Sequence, residues 1–228
     1  MTDRPDLPPL DVEVCLSGVR DATAALLDGL RGLTDDEARR PSLLPGWTVG
    51  HVLTHLARNA EGVRGMIEGA VRDVAVPMYP SAEARRADIE AGAGRPAAAL
   101  VDDVAATAEA LDASWPAGGA PAWEGSGLTL AGPLPVAEMP FRRWREVEVH
   151  RADLGLAFTW ADWSDAYVAV ELERTVAESA ARTPDGHPVA IGPDDDHRLV
   201  LAWLLGRAER PDGYPELAPW QAPPPGPR

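Results

Sequence analysis

Apolar residues recur at three- and four-residue spacing over most of the chain up to residue 154, and this period predicts amphipathic helices. The predicted helices cover, approximately, residues 11–33, 48–70, 82–115 and 136–154. The third is expected in two pieces, because Gly92, Gly94 and Pro96 interrupt it. Long helices joined without convincing strands indicate an up-and-down four-helix bundle.

The pattern changes near Trp163. Ser164 and Asp165 are suitable caps for a helix that ends near Arg182, and a further helix is expected at about residues 196–208. Between them His187–Ile191 is the one plausible strand, and the segment 118–135 is predicted to be a long Gly/Pro-rich loop. The expected fold is therefore mainly α: a helical bundle in residues 1–162 followed by a small α/β domain in residues 163–228.

Charge and composition narrow the choice of partners. The net charge of −15 repels phosphate backbones and anionic lipid, and no stretch approaches the ~20 apolar residues that span a bilayer. All 21 basic residues are arginine, whose planar fork suits carboxylates. The lone cysteine, Cys15, is expected in the core. With no intramolecular disulfide and no signal-peptide pattern at the N-terminus, a cytoplasmic location is expected.

Two predicted helices carry metal-binding side chains on or near their apolar faces. On the helix of residues 48–70, His55 lies on the flank of the apolar stripe, next to Val52. On the helix of residues 136–154, His150 lies within the stripe and Glu146 at its edge, whereas Glu148 is expected to point the opposite way. A buried ionised carboxylate needs compensation, and the i,i+4 spacing lets both side chains reach one divalent cation. His55 would complete a set of three ligands.

Simpler alternatives exist for each part of this set. Arg143 is one turn from Glu146 and could neutralise it as an ion pair. His51 and His55 form a second i,i+4 pair that is equally able to bind a metal. Asp153, further along the same helix as Glu146, either orients a ligand or lies in solvent near the helix end. Periodicity by itself leaves these alternatives open.

Several sequence blocks together resemble the mycothiol-dependent maleylpyruvate isomerase family of the wider DinB-like superfamily. The first block is LPGWTVGHVLTHLARN at residues 44–59. The others follow in the same order along the chain, at residues 85–94, 144–154, 201–207 and 217–220. Because the blocks span nearly the whole chain, they are more specific than any single motif. Between residues 182 and 198 the chain is shorter than the family pattern.

The resemblance implies a site and a fold. In this family the metal ligands are the second histidine of G-W-T-x-x-H-x-x-x-H and both ends of E-x3-H, which implies His55, Glu146 and His150, with zinc the expected ion. It also implies a DinB-like four-helix bundle followed by a small α/β domain, and mycothiol as the thiol cofactor. Family arginines that match Arg85 and Arg207 are implied to hold substrate or cofactor; otherwise Arg85 is a solvated residue and Arg207 caps its helix.

The reaction that the resemblance implies converts maleylpyruvate into fumarylpyruvate. A metal-bound thiol loses its proton near neutral pH. The thiolate adds to the cis double bond, the resulting single bond rotates, and elimination returns the trans isomer, while arginines clamp the carboxylates. The expected function is thus a metal-dependent cis–trans isomerase whose partners are an anionic small molecule and a low-molecular-weight thiol. The alternatives are a mycothiol S-transferase and a non-catalytic protein that binds the thiol or another ligand.

Overall fold

The computed structural model describes residues 9–218, which form two compact units, Leu10–Thr159 and the residues from Trp160 onward. The elements of the first unit are, in chain order, α1 (Val12–Gly29), α2 (Asp35–Arg39), α3 (Val49–Val71), α4 (Ala82–Ala93), α5 (Ala97–Asp112), β1 (Ser126–Thr129), β2 (Gly132–Pro135) and α6 (Met139–Asp153). The second unit contains α7 (Asp165–Ser179) and α8 (His197–Leu204). The described chain is mainly helical, as predicted.

Four helices form the bundle of the first unit. Helix α3 packs against α5 and α6, and α1 closes the ring by packing against the same two helices. The predicted apolar stripe of α3 is buried along its whole length (Val49, Val52, Leu53, Leu56, Ala60, Val63 and Ile67). Cys15 on α1 is also buried, which confirms its expected place in the core. The predicted four-helix bundle is thus confirmed.

Helix α6 is more enclosed than its sequence pattern predicted. Glu148, which was expected to point away from the core, is only 5 % exposed, so this expectation was wrong. Neighbouring positions on the same side, including Trp144 and Val149, are buried as well. Trp144 lies so close to α1 that a methyl group at Gly18 would overlap its indole ring. Because α6 is covered on several faces, a single apolar stripe did not describe it.

A short hairpin replaces the loop that was predicted before α6. Strands β1 and β2 pair in antiparallel register, and β1 packs against α3. The N–H of Met78, in the segment between α3 and α4, donates to the carbonyl of Leu128 on β1 (2.8 Å). The hairpin therefore fixes the segment that leads into α4.

The second unit lacks the strand expected at 187–191. This stretch is irregular, and the described residues from Trp160 onward contain no strand. Val189 is nevertheless buried, and its N–H donates to the hydroxyl of Ser179 (2.9 Å) instead of to a neighbouring strand. This apolar stretch therefore packs without a strand partner. Pro219 and Trp220 of the last sequence block, and the Pro-rich tail after them, lie outside the described residues.

No helix in residues 9–218 is long and apolar enough to cross a membrane.

Candidate metal centre

Three side chains from α3 and α6 meet at the centre of the first unit. Nε2 of His55 lies 3.0 Å from Oε2 of Glu146 and 3.1 Å from Nε2 of His150, although the residues are 91 and 95 positions apart in the chain. Nε2 of His150 and Oε2 of Glu146 are 3.5 Å apart. In residues 9–218 these form the one group of three or more potential ligands whose atoms converge closely enough to hold an ion. The structure thus brings together all three predicted ligands.

Exposure differs among the three side chains. His55 is 5 % exposed and His150 is 16 % exposed, whereas Glu146 retains 31 % of its side-chain surface. The group therefore borders solvent on the side of the carboxylate. A small molecule could approach the ligand atoms from this side.

On the α6 side, the second nitrogen of His150 faces a carboxylate. Nδ1 of His150 lies 2.9 Å from Oδ2 of Asp153, which is 1 % exposed. In the neutral ring, an Nδ1–H that donates to this carboxylate leaves a lone pair on Nε2, the nitrogen that points towards Glu146. Metal-bound histidines in proteins usually have such a partner. Of the two alternatives for Asp153, the structure supports the one in which it orients His150.

On the α3 side, the second nitrogen of His55 faces a cation instead. NH2 of Arg85, on α4, lies 3.1 Å from Nδ1 of His55. A guanidinium has donors only, so Nδ1 accepts this hydrogen bond and the proton of the neutral ring lies on Nε2. That proton points at Glu146. Arg85 is thus beside the ligand group, and it sets the tautomer of His55, whereas the substrate- or cofactor-binding role that the family resemblance implied for it stays a prediction.

The protonation states follow from burial and from these contacts. Burial lowers the pKa of His55, although Glu146 opposes the shift. Burial would raise the pKa of Glu146, but hydrogen bonds from His150 and His55 hold it well below the usual range. Burial likewise opposes the charged form of His150, yet hydrogen bonds to Asp153 and Glu146 raise its pKa to about 9. At neutral pH, the Nε2–H groups of His55 and His150 and the carboxylate of Glu146 therefore lie within 3.5 Å of one another.

Arg143 and His51 direct their hydrogen bonds to other partners, although the charge of Glu146 still acts on Arg143. NH1 of Arg143 donates to the backbone carbonyl of Leu56 (2.9 Å) and to Oδ1 of Asn59 (2.8 Å), both on α3. His51 belongs to the start of α3, where its Nδ1 contacts the N–H of Thr48 (3.1 Å) in a capping box. The Nε2 of His51 faces an exposed glutamate on α4 rather than the ligand group.

Two aromatic residues border the group. The ring of Trp47 lies 5.6 Å from the ring of His55, edge to face. Tyr79, which the sequence did not single out, lies under the guanidinium of Arg85, whose carbon is 5.6 Å from the ring centre. Burial raises the pKa of Tyr79, and the charges of Arg85 and Glu146 act on it in opposite directions. A tyrosine in a proline-rich loop carries no sequence signal for such a location.

Arg207 belongs to the second unit, just beyond the end of α8. Its NH1 donates to the carbonyl of Leu205 (2.7 Å). Its N–H donates to the carbonyl of Ala202 (2.7 Å), across Gly206 with its positive φ of 73°. These contacts are typical of a helix C-terminus. The expected part of Arg207 in binding a ligand stays a prediction.

Comparisons with known proteins agree on one family. The sequence model described as "Mycothiol maleylpyruvate isomerase N-terminal domain" matches residues 19–155, more than half of the chain. The crystal structure of a mycothiol-dependent maleylpyruvate isomerase is similar at a TM-score of 0.76 and 27 % identity, over 94 % of this chain and 95 % of that one. A variant of that enzyme with one histidine replaced by alanine gives a TM-score of 0.75 and 26 % identity, over 91 % and 93 % of the two chains. No curated protein sequence matches significantly.

Proposed function

The chain belongs to the mycothiol maleylpyruvate isomerase family, and we propose that it is a mycothiol-dependent enzyme with a divalent metal centre at His55, Glu146 and His150. One observation carries the proposal: three ligand atoms from two helices converge within 3.5 Å of one another. We propose zinc as the ion, and a cytoplasmic location stays part of the prediction.

The spacing of the ligand atoms supports a small cation. Two atoms that each lie about 2.0–2.1 Å from one tetrahedral ion are roughly 3.3 Å apart. The three separations here are 3.0, 3.1 and 3.5 Å, close to that value. A set of two imidazoles and one carboxylate suits zinc, and three protein ligands leave a fourth position for an exogenous ligand. The two Nε2 protons of His55 and His150 also support the assignment, because one cation can replace them both.

Binding at His55 requires a rearrangement of its hydrogen bonds. The Nε2 of His55 must present a lone pair to the cation, so the ring proton must lie on Nδ1. Arg85 can only donate a hydrogen bond, and its contact with Nδ1 must therefore break when the cation binds. His150 needs no change of tautomer, since its Nδ1 already faces Asp153, but below about pH 9 its Nε2 would have to lose a proton.

A bound divalent cation and mycothiol would together supply a thiolate nucleophile, because the cation favours the deprotonated form of a thiol near neutral pH. Glu146 offsets part of the charge of the cation, and Asp153 holds the His150 ring in place. Arg85, once released from His55, can hold a carboxylate of an anionic substrate beside the centre. This local positive charge attracts the anion despite the net charge of −15. We also propose, from the family resemblance, that Arg207 binds substrate or cofactor.

As the specific reaction we propose cis–trans isomerisation of the maleylpyruvate type. The test measures conversion of maleylpyruvate by the metal-loaded protein, with and without mycothiol. We expect turnover that depends on both metal and mycothiol. Consumption of mycothiol by an added electrophile, without isomerisation, would assign the chain to thiol transfer instead. Thiol binding without either reaction would overturn the enzymatic assignment.

A further inference from the structure

The hydroxyl of Tyr79 is buried and, within residues 9–218, has no hydrogen-bond partner. A buried polar group without a partner is unfavourable by about 1–3 kcal/mol, because it has lost water and gained nothing. Such groups are uncommon in native proteins, and each requires an explanation. The Tyr79 hydroxyl is therefore a candidate for binding a ligand.

The backbone around Tyr79 is fixed on both sides. Before it, the N–H of Met78 donates to Leu128 on β1, and Met78 packs against α3 at Gly62, where a Cβ would be too close to Met78. After it, Pro80 restricts the backbone conformation of Tyr79. The backbone from which the Tyr79 side chain extends is therefore held in place.

The surroundings of the phenol are those of the candidate metal centre. Arg85 lies between Tyr79 and His55. Its guanidinium carbon is 5.6 Å from the centre of the Tyr79 ring, and its NH2 is 3.1 Å from Nδ1 of His55. After burial, the strongest influences on the pKa of Tyr79 are the charges of Arg85 and Glu146. Burial raises this pKa, so the hydroxyl keeps its proton at neutral pH and can donate a hydrogen bond.

We propose that the Tyr79 hydroxyl is a ligand-binding group of this centre and donates its proton in a hydrogen bond to an anionic atom of bound mycothiol, the thiolate sulfur. This inference rests on the proposed function. The acceptor that the hydroxyl lacks is then supplied by the ligand. An anion is favoured because Arg85 and a bound cation together make this space positive. The guanidinium of Arg85 lies over the Tyr79 ring and also acts on the hydroxyl, but it can only donate hydrogen bonds, so it cannot accept the phenolic proton.

Tyr79→Phe removes the hydroxyl and keeps the ring, and is compared with wild-type protein in the metal-loaded state. We expect unchanged metal content and a mycothiol affinity, measured by calorimetry, that falls about tenfold or more, as for the loss of a hydrogen bond to a charged atom. The melting temperature is expected to stay the same or rise, because the hydroxyl has no partner to lose. A purely structural role for Tyr79 would not combine a stable fold with weak thiol binding.

Tyr214→Phe is the matched control. Its hydroxyl donates to Oδ2 of Asp195 (2.7 Å), so its loss should lower the melting temperature and leave mycothiol affinity unchanged. Equal mycothiol affinity of wild type and Tyr79→Phe would overturn the inference and leave the proposed function intact. The inference would also be overturned if Tyr79→Phe bound mycothiol weakly only because it had lost its metal or had a lower melting temperature than the wild type. A metal-loaded wild type that does not bind mycothiol would overturn the proposed function, and this inference with it.

Discussion

The two sides of the proposed metal centre have opposite electrostatic support. On the α6 side, the outer nitrogen of His150 faces the buried carboxylate of Asp153 at 2.9 Å. On the α3 side, the outer nitrogen of His55 faces the guanidinium of Arg85 at 3.1 Å. A carboxylate stabilises a histidine that carries its proton on the outer nitrogen, which is the tautomer that binds metal. A guanidinium stabilises the other tautomer.

The origin of the two partners in the sequence explains the difference. Asp153 is three residues after His150 on the same helix, so a local contact arranges the α6 side wherever that helix forms. Arg85 is near the start of α4, a separate helix in which only Ile89 and Ala93 are buried. We infer that the α6 side is arranged for metal before it binds, whereas the α3 side rearranges on binding. The release of Arg85 would then couple metal binding to the capture of an anionic substrate.

The largest effect is expected from removing the ligands themselves. His55→Ala, Glu146→Ala and His150→Ala should each lose essentially all bound metal, because two remaining ligands do not hold the ion. Elemental analysis of the purified variants measures this. His51→Ala is the control and should keep its metal, since His51 contacts Thr48 and Glu90 instead of the ligand group. Full metal occupancy in Glu146→Ala would show that the ligand assignment is wrong. So would a His51→Ala variant that loses its metal while His55→Ala keeps it.

The next effect concerns the arginines. Arg85→Leu and Arg207→Leu should each keep the fold and the metal but lose at least about a hundredfold in turnover, as expected when a charged group that binds the substrate is removed. Steady-state kinetics on metal-loaded protein tests this. Arg86→Leu, the exposed neighbour of Arg85 on α4, should turn over like wild type. Near-normal turnover in both predicted variants would mean that Arg85 only sets the tautomer of His55 and that Arg207 only caps α8.

The sequence predicted what depends on helical periodicity. The apolar stripe of α3, the position of His55 beside it, and the shared helix of Glu146 and His150 all follow from local spacing. The close approach of His55 to residues more than 90 positions away does not follow from spacing. A shared metal site suggested this approach, and only the family resemblance selected it over the alternatives. Periodicity also failed for Glu148, because several neighbouring elements cover α6.

Irregular segments were beyond the reach of these rules. The hairpin of β1 and β2 is rich in glycine and proline, which predicted a loop, and its pairing depends on packing against α3. The contacts of Arg85 with Tyr79 and with His55 depend on the path of the chain between α3 and α4. The side chains that could govern ligand binding were therefore harder to predict than the metal ligands.

The pH dependence of metal binding tests the α6 side. The pKa of His150 is raised to about 9, so below that pH the ring binds a proton that the metal must displace. The pKa of His55 is lowered and Glu146 stays ionised, so neither adds a proton at neutral pH. Metal affinity should thus fall about tenfold for each pH unit between about 9 and 7. Competition with a chromophoric chelator measures it, and an affinity that is flat from about pH 8 to about pH 5 would contradict it.

The smallest effect distinguishes the two sides most directly, because the two substitutions should change metal affinity in opposite directions. Asp153→Asn keeps the size of the side chain but removes its charge, and should weaken metal binding about tenfold or more. Arg85→Leu removes the donor that holds His55 in the wrong tautomer and a positive charge beside the cation. It should therefore strengthen metal binding by about three- to tenfold, which corresponds to one ordinary hydrogen bond. Chelator competition at one fixed pH compares both variants with Arg86→Leu, for which no change is expected. Weaker metal binding in Arg85→Leu would mean that Arg85 supports the metal-bound state, and the proposed rearrangement of the α3 side would be wrong.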